Sequence, residues 1–313
     1  MSGHLQDNLT DTDGLQTIGD WLRWTYSRFN EHDLFFGHGS DNSWDEACYL
    51  ILQALELPWD FDQSLYGCRL TAIESAHLQS LVRRRIEDRV PTAYLLNKAW
   101  FCELPFYVDE RVLVPRSPIA ELIQNGFQPW MGNVQVDRVL DLCTGSGCIG
   151  IGCAQTYPEA QVDLLDLSPD ALEVARINID RFELWDRVQT VESNLFSALE
   201  SEEEKPQYQI IVTNPPYVDA EDMTDLPNEY HHEPELGLAA GNDGLDLART
   251  ILREARNYLT DDGILVMEVG NSCFALDEAF PNVPFTWLEF EQGGHGVCLL
   301  TAAELDQYRE SFA

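Results

Sequence analysis

Apolar residues follow two different rhythms along the chain. Before about residue 90 they recur every three or four positions, the period of one face of a helix. Trp21, Leu22, Trp24 and Tyr26 open this pattern, and Ala47, Leu50, Ile51, Ala54 and Leu55 continue it. Asp41, Asn42 and Ser43 offer N-cap side chains between the two stretches. The spacing predicts helices within 18–57 and a third over 70–86, with the tryptophan stripe as their core. Beyond residue 138 the apolar residues gather into short, β-branched runs at 139–142, 162–165, 188–191, 210–213 and 264–269. Such runs suit strands buried on both faces.

Helical stretches separate these runs, at 149–155, 171–181 and 243–259, with a shorter one at 274–280. Alternating strands and helices predict an α/β fold around a mostly parallel sheet. The last two runs, 285–290 and 296–301, have only Gln292, Gly293, Gly294 and His295 in the turn between them. With no crossover helix, this closing pair should be antiparallel. Ahead of the sheet, 106–108 and 112–114 flank Asp109, Glu110 and Arg111 and read as a hairpin. Ser117 then offers an N-cap, with Pro118 at the first position of a helix over 119–127.

The chain has 313 residues, 44% of them hydrophobic, enough for two domains with real cores. The expected division is 1–97, mainly helical, and 98–313, carrying the hairpin and the sheet. No apolar run is long enough to span a membrane as a helix, and 1–14 is polar and acidic, unlike a signal peptide. The eight cysteines are scattered. Cys143, Cys148 and Cys153 are evenly spaced but form no Cys-x-x-Cys pair, so reduced thiols in a cytoplasmic protein are expected, with no metal site. His231 and His232 are adjacent and would point to opposite faces of an extended chain. Arg83, Arg84, Arg85 and Arg89 form the one basic cluster of this half, where they would complement a helix C-terminus.

Net charge is −35, from 54 acidic and 19 basic residues. A surface of that sign repels nucleic acid and attracts basic proteins. The acids are spread over the whole chain, which also fits simple solvation.

Two stretches carry chemistry. In the first, a strand runs through Asp141 into Cys143, Thr144, Gly145, Ser146 and Gly147, and a helix follows. Glycines at such a turn let a ligand approach the backbone near free helical amides. The next strand ends at Asp166, about twenty residues on, where an acid suits ribose hydroxyls. In the second, the run 210–213 stops at Asn214, followed by Pro215, Pro216 and Tyr217. Neither proline can donate to a sheet, and each restricts the residue before it. The result is a stiff turn at the carboxyl end of a strand, where open α/β sheets bind ligands. The Asn214 side chain and the Pro215 carbonyl offer fixed acceptors for a planar group bearing NH2, with Tyr217 as a wall. The loop behind it, 218–242, is long enough to suggest a function of its own.

This order of strand, glycine turn, helix, strand-acid and Asn-Pro-Pro-Tyr resembles the class I S-adenosylmethionine-dependent methyltransferases, a Rossmann-like, doubly wound fold with a mostly parallel seven-stranded sheet. With the helical N-terminal region, the hairpin and Pro115-Arg116, it resembles the protein N5-glutamine methyltransferases in particular. One branch of that family methylates peptide release factors at a Gly-Gly-Gln loop and carries an acidic Asp/Glu-Thr-Glu after the Pro-Arg. The stretch from Arg116 through Ser117, Pro118, Ile119, Ala120 and Glu121 is instead similar to the branch that methylates the third protein of the large ribosomal subunit, L3. Residues 217–223 and 228–236 are similar to that branch as well.

The resemblance implies S-adenosylmethionine along Asp141, Cys143, Thr144, Gly145, Ser146 and Gly147, with Asp166 on its ribose and Asn194 and Leu195 beside its adenine. It implies that Asn214, Pro215, Pro216 and Tyr217 hold a glutamine of L3; the acidic charge favours L3 before ribosome assembly, since RNA would repel this chain, and the domain split predicts that 1–97 recognises the protein substrate. Cys143 stands where many relatives carry Gly, and Asn194 where Asp is common. An amino-methylating DNA enzyme would use a similar pocket but needs a basic face, which −35 denies it. A non-catalytic adaptor for a ribosomal protein would have no use for Asn-Pro-Pro-Tyr.

Overall fold

The computed structural model describes residues 9–201 and 205–313, with the Ser201 side chain left out. Residues 202–204 lie outside the described residues, as do 1–8 of the acidic stretch 1–14. The chain forms two compact units. One ends at Ala99 and also takes in Pro227–His232; the other holds Trp100–Leu226 and Glu233–Ala313.

The first unit is built from α1 (Ile18–Glu31), α2 (Ser43–Ala54), α3 (Ala72–Glu87) and the short α4 (Thr92–Leu96). Each of the first three starts on a capping side chain. Thr17 and Asp20 form a reciprocal box on α1, as do Thr71 and Glu74 on α3. The Asn42 side chain accepts from the amides of Trp44 and Asp45 to start α2. Trp21, Leu22, Trp24, Leu50 and Ile51 are buried in one core with Leu78 and Val82, as their periodicity predicts. Helix α4, five residues long, is too short to show a period.

The basic cluster differs from its sequence reading. Only Arg83 and Arg84 of the four are exposed. Arg85 is 1% exposed and donates to the carboxylates of Glu46 and Glu229 and to the Phe35 carbonyl. Arg89 donates to the carbonyls of His32 and Asp33. A guanidinium is stable in a core only when its donors are matched in this way. Glu46 and Glu229 lie 39 and 144 residues away, beyond the reach of a local pattern.

The second unit opens with β1 (Ala99–Phe101) and β2 (Leu104–Phe106), then α5 (Ile119–Gln124). The hairpin is therefore not at 106–114. Its turn is Cys102-Glu103, both left-handed at φ 49° and 63°, the geometry of a two-residue hairpin. The later runs cannot pair with each other because side chains take their backbone groups. Asn178 bonds both the amide and the carbonyl of Tyr107, and Glu233 accepts from the amide of Val114. Between them, Asp109 accepts from the amide and guanidinium of Arg111. The α5 helix ends at Gln124 rather than at 127, and Ser117 Oγ accepts from the Ile119 amide near its start.

The sheet follows: β3 (Arg138–Leu142), α6 (Cys148–Thr156), β4 (Gln161–Asp166), α7 (Pro169–Arg181), β5 (Val188–Glu192) and β6 (Tyr208–Thr213). Then come α8 (Asp222–Asp225), α9 (Asp246–Glu254), β7 (Leu259–Glu268), α10 (Cys273–Ala279), β8 (Thr286–Trp287), β9 (Val297–Thr301) and α11 (Ala302–Gln307). The seven strands lie in the order β5-β4-β3-β6-β7-β9-β8. The first five are parallel, and β9 runs antiparallel to both β7 and β8. Val139 and Val162 pack on one side of the sheet, and Leu140 and Ile211 on the other.

Helix α9 is shorter than the run 243–259, because a 3-10 turn (Ala255–Tyr258) tightens its end. Strand β7 begins at Leu259, five residues before Ile264, with a bulge opposite Tyr208 and Ile210. Polar residues 260–263 fill that bulge, so no apolar run marks it. The loop after the Asn-Pro-Pro-Tyr turn is closed by its own backbone: Val218 donates to Leu238 and accepts from Ala240.

Candidate active site

Parallel register sets the site. Leu165, Leu142, Thr213 and Met267 lie side by side across β4, β3, β6 and β7. The next residue on each strand is Asp166, Cys143, Asn214 and Glu268, a row along the carboxyl edge of the sheet. Neighbouring strands are ~4.8 Å apart, so the main chains at Asp166 and Asn214 stand roughly 10 Å apart across Cys143. The strand order changes direction here, since β3 is flanked by β4 on one side and β6 on the other.

The glycine turn is held from three sides. Thr144 donates through its amide to the Leu165 carbonyl and through its hydroxyl to Asp141 Oδ2 at 2.5 Å. The same oxygen accepts from the Gly150 amide at 2.9 Å, pinning the first turn of α6. Asn178, fully buried on α7, donates to the Ser146 carbonyl at 2.9 Å. Burial pushes the Asp141 carboxyl up to about 7, against the pull of its Thr144 and Gly150 donors. Its other oxygen is buried without a hydrogen-bond partner among the described residues.

At the end of β4, Asp166 accepts from the amides of Gly145 and Ser168, one on each oxygen, at 2.8 and 2.9 Å. Burial raises its pKa, and those amides oppose the shift. Gly145 has φ +55°, and a Cβ there would meet no atom within 4 Å. The turn thus leaves an open shelf beside a carboxylate that retains spare lone pairs. Cys143, also left-handed at φ 58°, keeps a thiol where glycine would be unstrained. Burial raises the thiol's pKa and keeps it protonated. Leu195 is buried and Asn194 exposed, in the turn after β5.

On the other side of Cys143, Asn214 is partly buried, and its side chain has no hydrogen-bond partner among the described residues. The carbonyl of Pro215 likewise accepts no hydrogen bond there. Both acceptors therefore stand ready at one turn. The Tyr217 hydroxyl donates to Glu268 Oε1 at 3.0 Å, and its carbonyl accepts from Ser272 Oγ at 2.9 Å. Its ring lies against Gly270, where a Cβ would come within 2.5 Å of it. Ser117 donates to the second oxygen of Glu268 at 2.5 Å. Arg116 makes a two-pronged bond to Glu233 at 2.6 and 2.7 Å, tying the loop behind the motif to the Pro115-Arg116 stretch.

The structure thus brings Asp141, the 143–147 turn, Asp166 and Asn214 to one edge of the sheet. Sequence reasoning missed Asn178, Glu268 and the hydrogen bond of Ser117 to Glu268. A fully buried Asn in an apolar helix stripe and an acid ending an apolar strand were the available signals. Among the described residues, no group of three His, Cys, Asp or Glu is placed to hold a metal ion. No helix there is long and apolar enough to cross a membrane.

An open shelf at Gly145, a carboxylate at the end of the next strand and a left-handed turn between them fit a ribose-bearing cofactor. With the strand order and the antiparallel closing strand, they define a class I S-adenosylmethionine-dependent methyltransferase. Residues 126–229 match the family described as methyltransferase small domain. The ribosomal protein uL3 glutamine methyltransferase of Francisella tularensis is 48% identical over 95% of this chain and 94% of its own. Its counterpart from Neisseria gonorrhoeae is 49% identical over 93% of this chain and 96% of its own. The hMettl16 catalytic domain, solved in complex with the MAT2A 3'UTR hairpin 6, aligns at 15% identity with a TM-score of 0.49, over 76% of this chain and 86% of that one. This chain belongs to the ribosomal protein uL3 glutamine methyltransferase family.

Proposed function

We propose that this protein transfers a methyl group from S-adenosylmethionine to the side-chain amide nitrogen of a glutamine in ribosomal protein uL3. The observation that carries the reading is a pair of acceptors at the end of β6, Asn214 Oδ1 and the Pro215 carbonyl, that have no partner among the described residues. Family membership at about half identity supports the substrate.

An amide nitrogen is a weak nucleophile because its lone pair is delocalised. Asn214 and Pro215 accept its two hydrogens, orient the nitrogen and favour the positive charge that develops on it. Tyr217 packs on the planar amide, with Pro216 stiffening the turn. No side-chain base is required, since the nitrogen becomes acidic as it bonds the methyl and its proton passes to water. The cofactor supplies an electrophilic sulfonium methyl. Asp166 accepts from its ribose hydroxyls, and the turn of Cys143, Thr144, Gly145, Ser146 and Gly147 lies along it. Asp141 shapes that turn, and Asn194 and Leu195 border the adenine.

The helical unit recognises the protein substrate. The acids of the loop, Glu221, Asp222, Asp225 and Glu235, speed encounter with a basic protein and are screened by salt. Free uL3 in the cytoplasm is then the substrate, and assembled subunits, coated in RNA, are poor ones. DNA is not bound, given the net charge of −35.

The test is a side-by-side methylation assay on free uL3, assembled large subunits and a release factor, with the modified residue located by mass spectrometry. Methyl-glutamine in free uL3, forming more slowly as salt rises, is the expected result. A faster rate on the release factor overturns the substrate assignment. A methyl group on any other residue type overturns the chemistry.

A further inference from the structure

Strand β7 is buried and apolar from Ile264 to Met267 and then ends in a buried acid, Glu268, 5% exposed. Nothing in the proposed mechanism requires a carboxylate there. An apolar side chain would fill such a position without the desolvation cost of a charge. The acid accepts two hydroxyl hydrogens, one on each oxygen: Ser117 Oγ on Oε2 and Tyr217 on Oε1. Each oxygen takes one hydroxyl hydrogen, so the carboxylate links Ser117 to Tyr217.

We infer that Glu268 and Ser117 are positioning residues, which fix the Tyr217 ring and through it the orientation of the substrate amide. The inference rests on the reading of Tyr217 as the wall of the glutamine pocket. Tyr217 is gripped at three places. Glu268 takes its hydroxyl, Gly270 leaves room for the ring, and Ser272 Oγ donates to its carbonyl. The first grip fixes the hydroxyl that ends the ring, and the second packs against the ring edge beside it. Ring and main-chain acceptors are joined through Pro216, whose φ is fixed by its own ring. A tilt of the Tyr217 plane therefore displaces the amide relative to the Asn214 and Pro215 acceptors. Burial raises the carboxyl pKa of Glu268, while the Ser117 and Tyr217 hydroxyls and the nearby Arg116 charge lower it. Ser117 also accepts from the Ile119 amide, so its hydroxyl is aimed by the start of α5. The Arg116–Glu233 bond holds the same segment in place.

The test uses the full chain with uL3 and compares Glu268→Ala, Glu268→Gln, Ser117→Ala, Tyr217→Phe and the double variant Glu268→Ala/Tyr217→Phe. Glu268→Ala should lower kcat by about 10- to 100-fold, the scale of a small misplacement of reacting atoms. KM for S-adenosylmethionine should be little changed. Glu268→Gln should recover most of the rate, because its carbonyl accepts from Tyr217 while its amide faces the Ser117 oxygen. The double variant should be no slower than the slower single one, since both act through one hydroxyl. Losses that multiply overturn the inference, as does a Glu268→Ala enzyme as fast as wild type.

A second measurement needs no substrate and no catalysis. With 13C at the ring carbon bearing the tyrosine hydroxyl, the Tyr217 signal is assigned by its loss in Tyr217→Phe. It should move in both Ser117→Ala and Glu268→Gln; a signal unmoved in both overturns the inference. Because this arm reads the linkage directly, a wild-type enzyme inactive on uL3 would overturn the proposed substrate alone. Should Glu268→Ala fail to fold, Glu268→Gln and Ser117→Ala decide the matter by the same signal.

Discussion

The amide of Gly145 donates to Asp166 at 2.8 Å, so the acid that ends one strand also shapes the turn that ends its neighbour. Replacing Asp166 with Ala removes the acceptor for Gly145 and Ser168 and the proposed ribose contact together. Affinity for S-adenosylhomocysteine should fall about tenfold or more, since a hydrogen bond to a charged group contributes ~1.5–3 kcal/mol. Calorimetric titration measures it; an unchanged Kd would exclude Asp166 from the cofactor site.

Asn214→Ala should leave the fold and the S-adenosylhomocysteine affinity nearly intact, because that side chain has no hydrogen-bond partner among the described residues. Turnover on uL3 should drop ~100- to 1,000-fold, by analogy with the loss of one preorganised transition-state contact. A rate within a few-fold of wild type would mean that another group orients the amide.

Asp141 gives a pH signature. Burial raises its carboxyl from 3.8 to about 7 in the folded chain. Between those values the folded state holds a proton that the unfolded chain has released. Its contribution to stability is therefore complete below the lower value and lost as pH rises through the upper one. Asn at this position keeps an acceptor for Thr144 and Gly150 and does not titrate. Relative to wild type, Asp141→Asn should gain stability between about pH 4 and pH 7 and then level off. Urea midpoints at about pH 5 and about pH 8 decide it, and a constant difference would refute the shift.

Asn178→Leu tests the link between helix α7 and the glycine turn. The change strips partners from the Tyr107 amide and carbonyl and from the Ser146 carbonyl. Each buried group left unpaired costs ~1–3 kcal/mol, although such losses are not additive. A loss of about 2–4 kcal/mol in urea unfolding is expected, with weaker S-adenosylhomocysteine binding because the turn loosens. Unaltered values for both would show that the turn holds without Asn178.

What the sequence revealed was local. The run 139–142, the glycines after it and Asp166 mark a strand, a turn and a strand end by composition alone. Asn214 was legible because two prolines stop its strand. The hairpin was misplaced because 106–108 and 112–114 look like paired strands, while their backbone partners, Asn178 and Glu233, lie 71 and 119 residues away. Arg85 reads as a complement to a helix C-terminus for the same reason, since Glu229 lies 144 residues away. The roles of Ser117 and Glu268 depend on a contact across 151 residues that no spacing rule contains.

The segment Pro227–His232 belongs with the helices, although it lies in sequence between the Asn-Pro-Pro-Tyr turn and α9. The helical unit is thus not a detachable prefix. Exchanging the first 99 residues for those of a relative would bring in foreign partners for Glu229 while leaving that acid native. Without a matching arginine, the graft would bury an uncompensated carboxylate. Any chimera that replaces the helical unit has to exchange two separate pieces of chain at once.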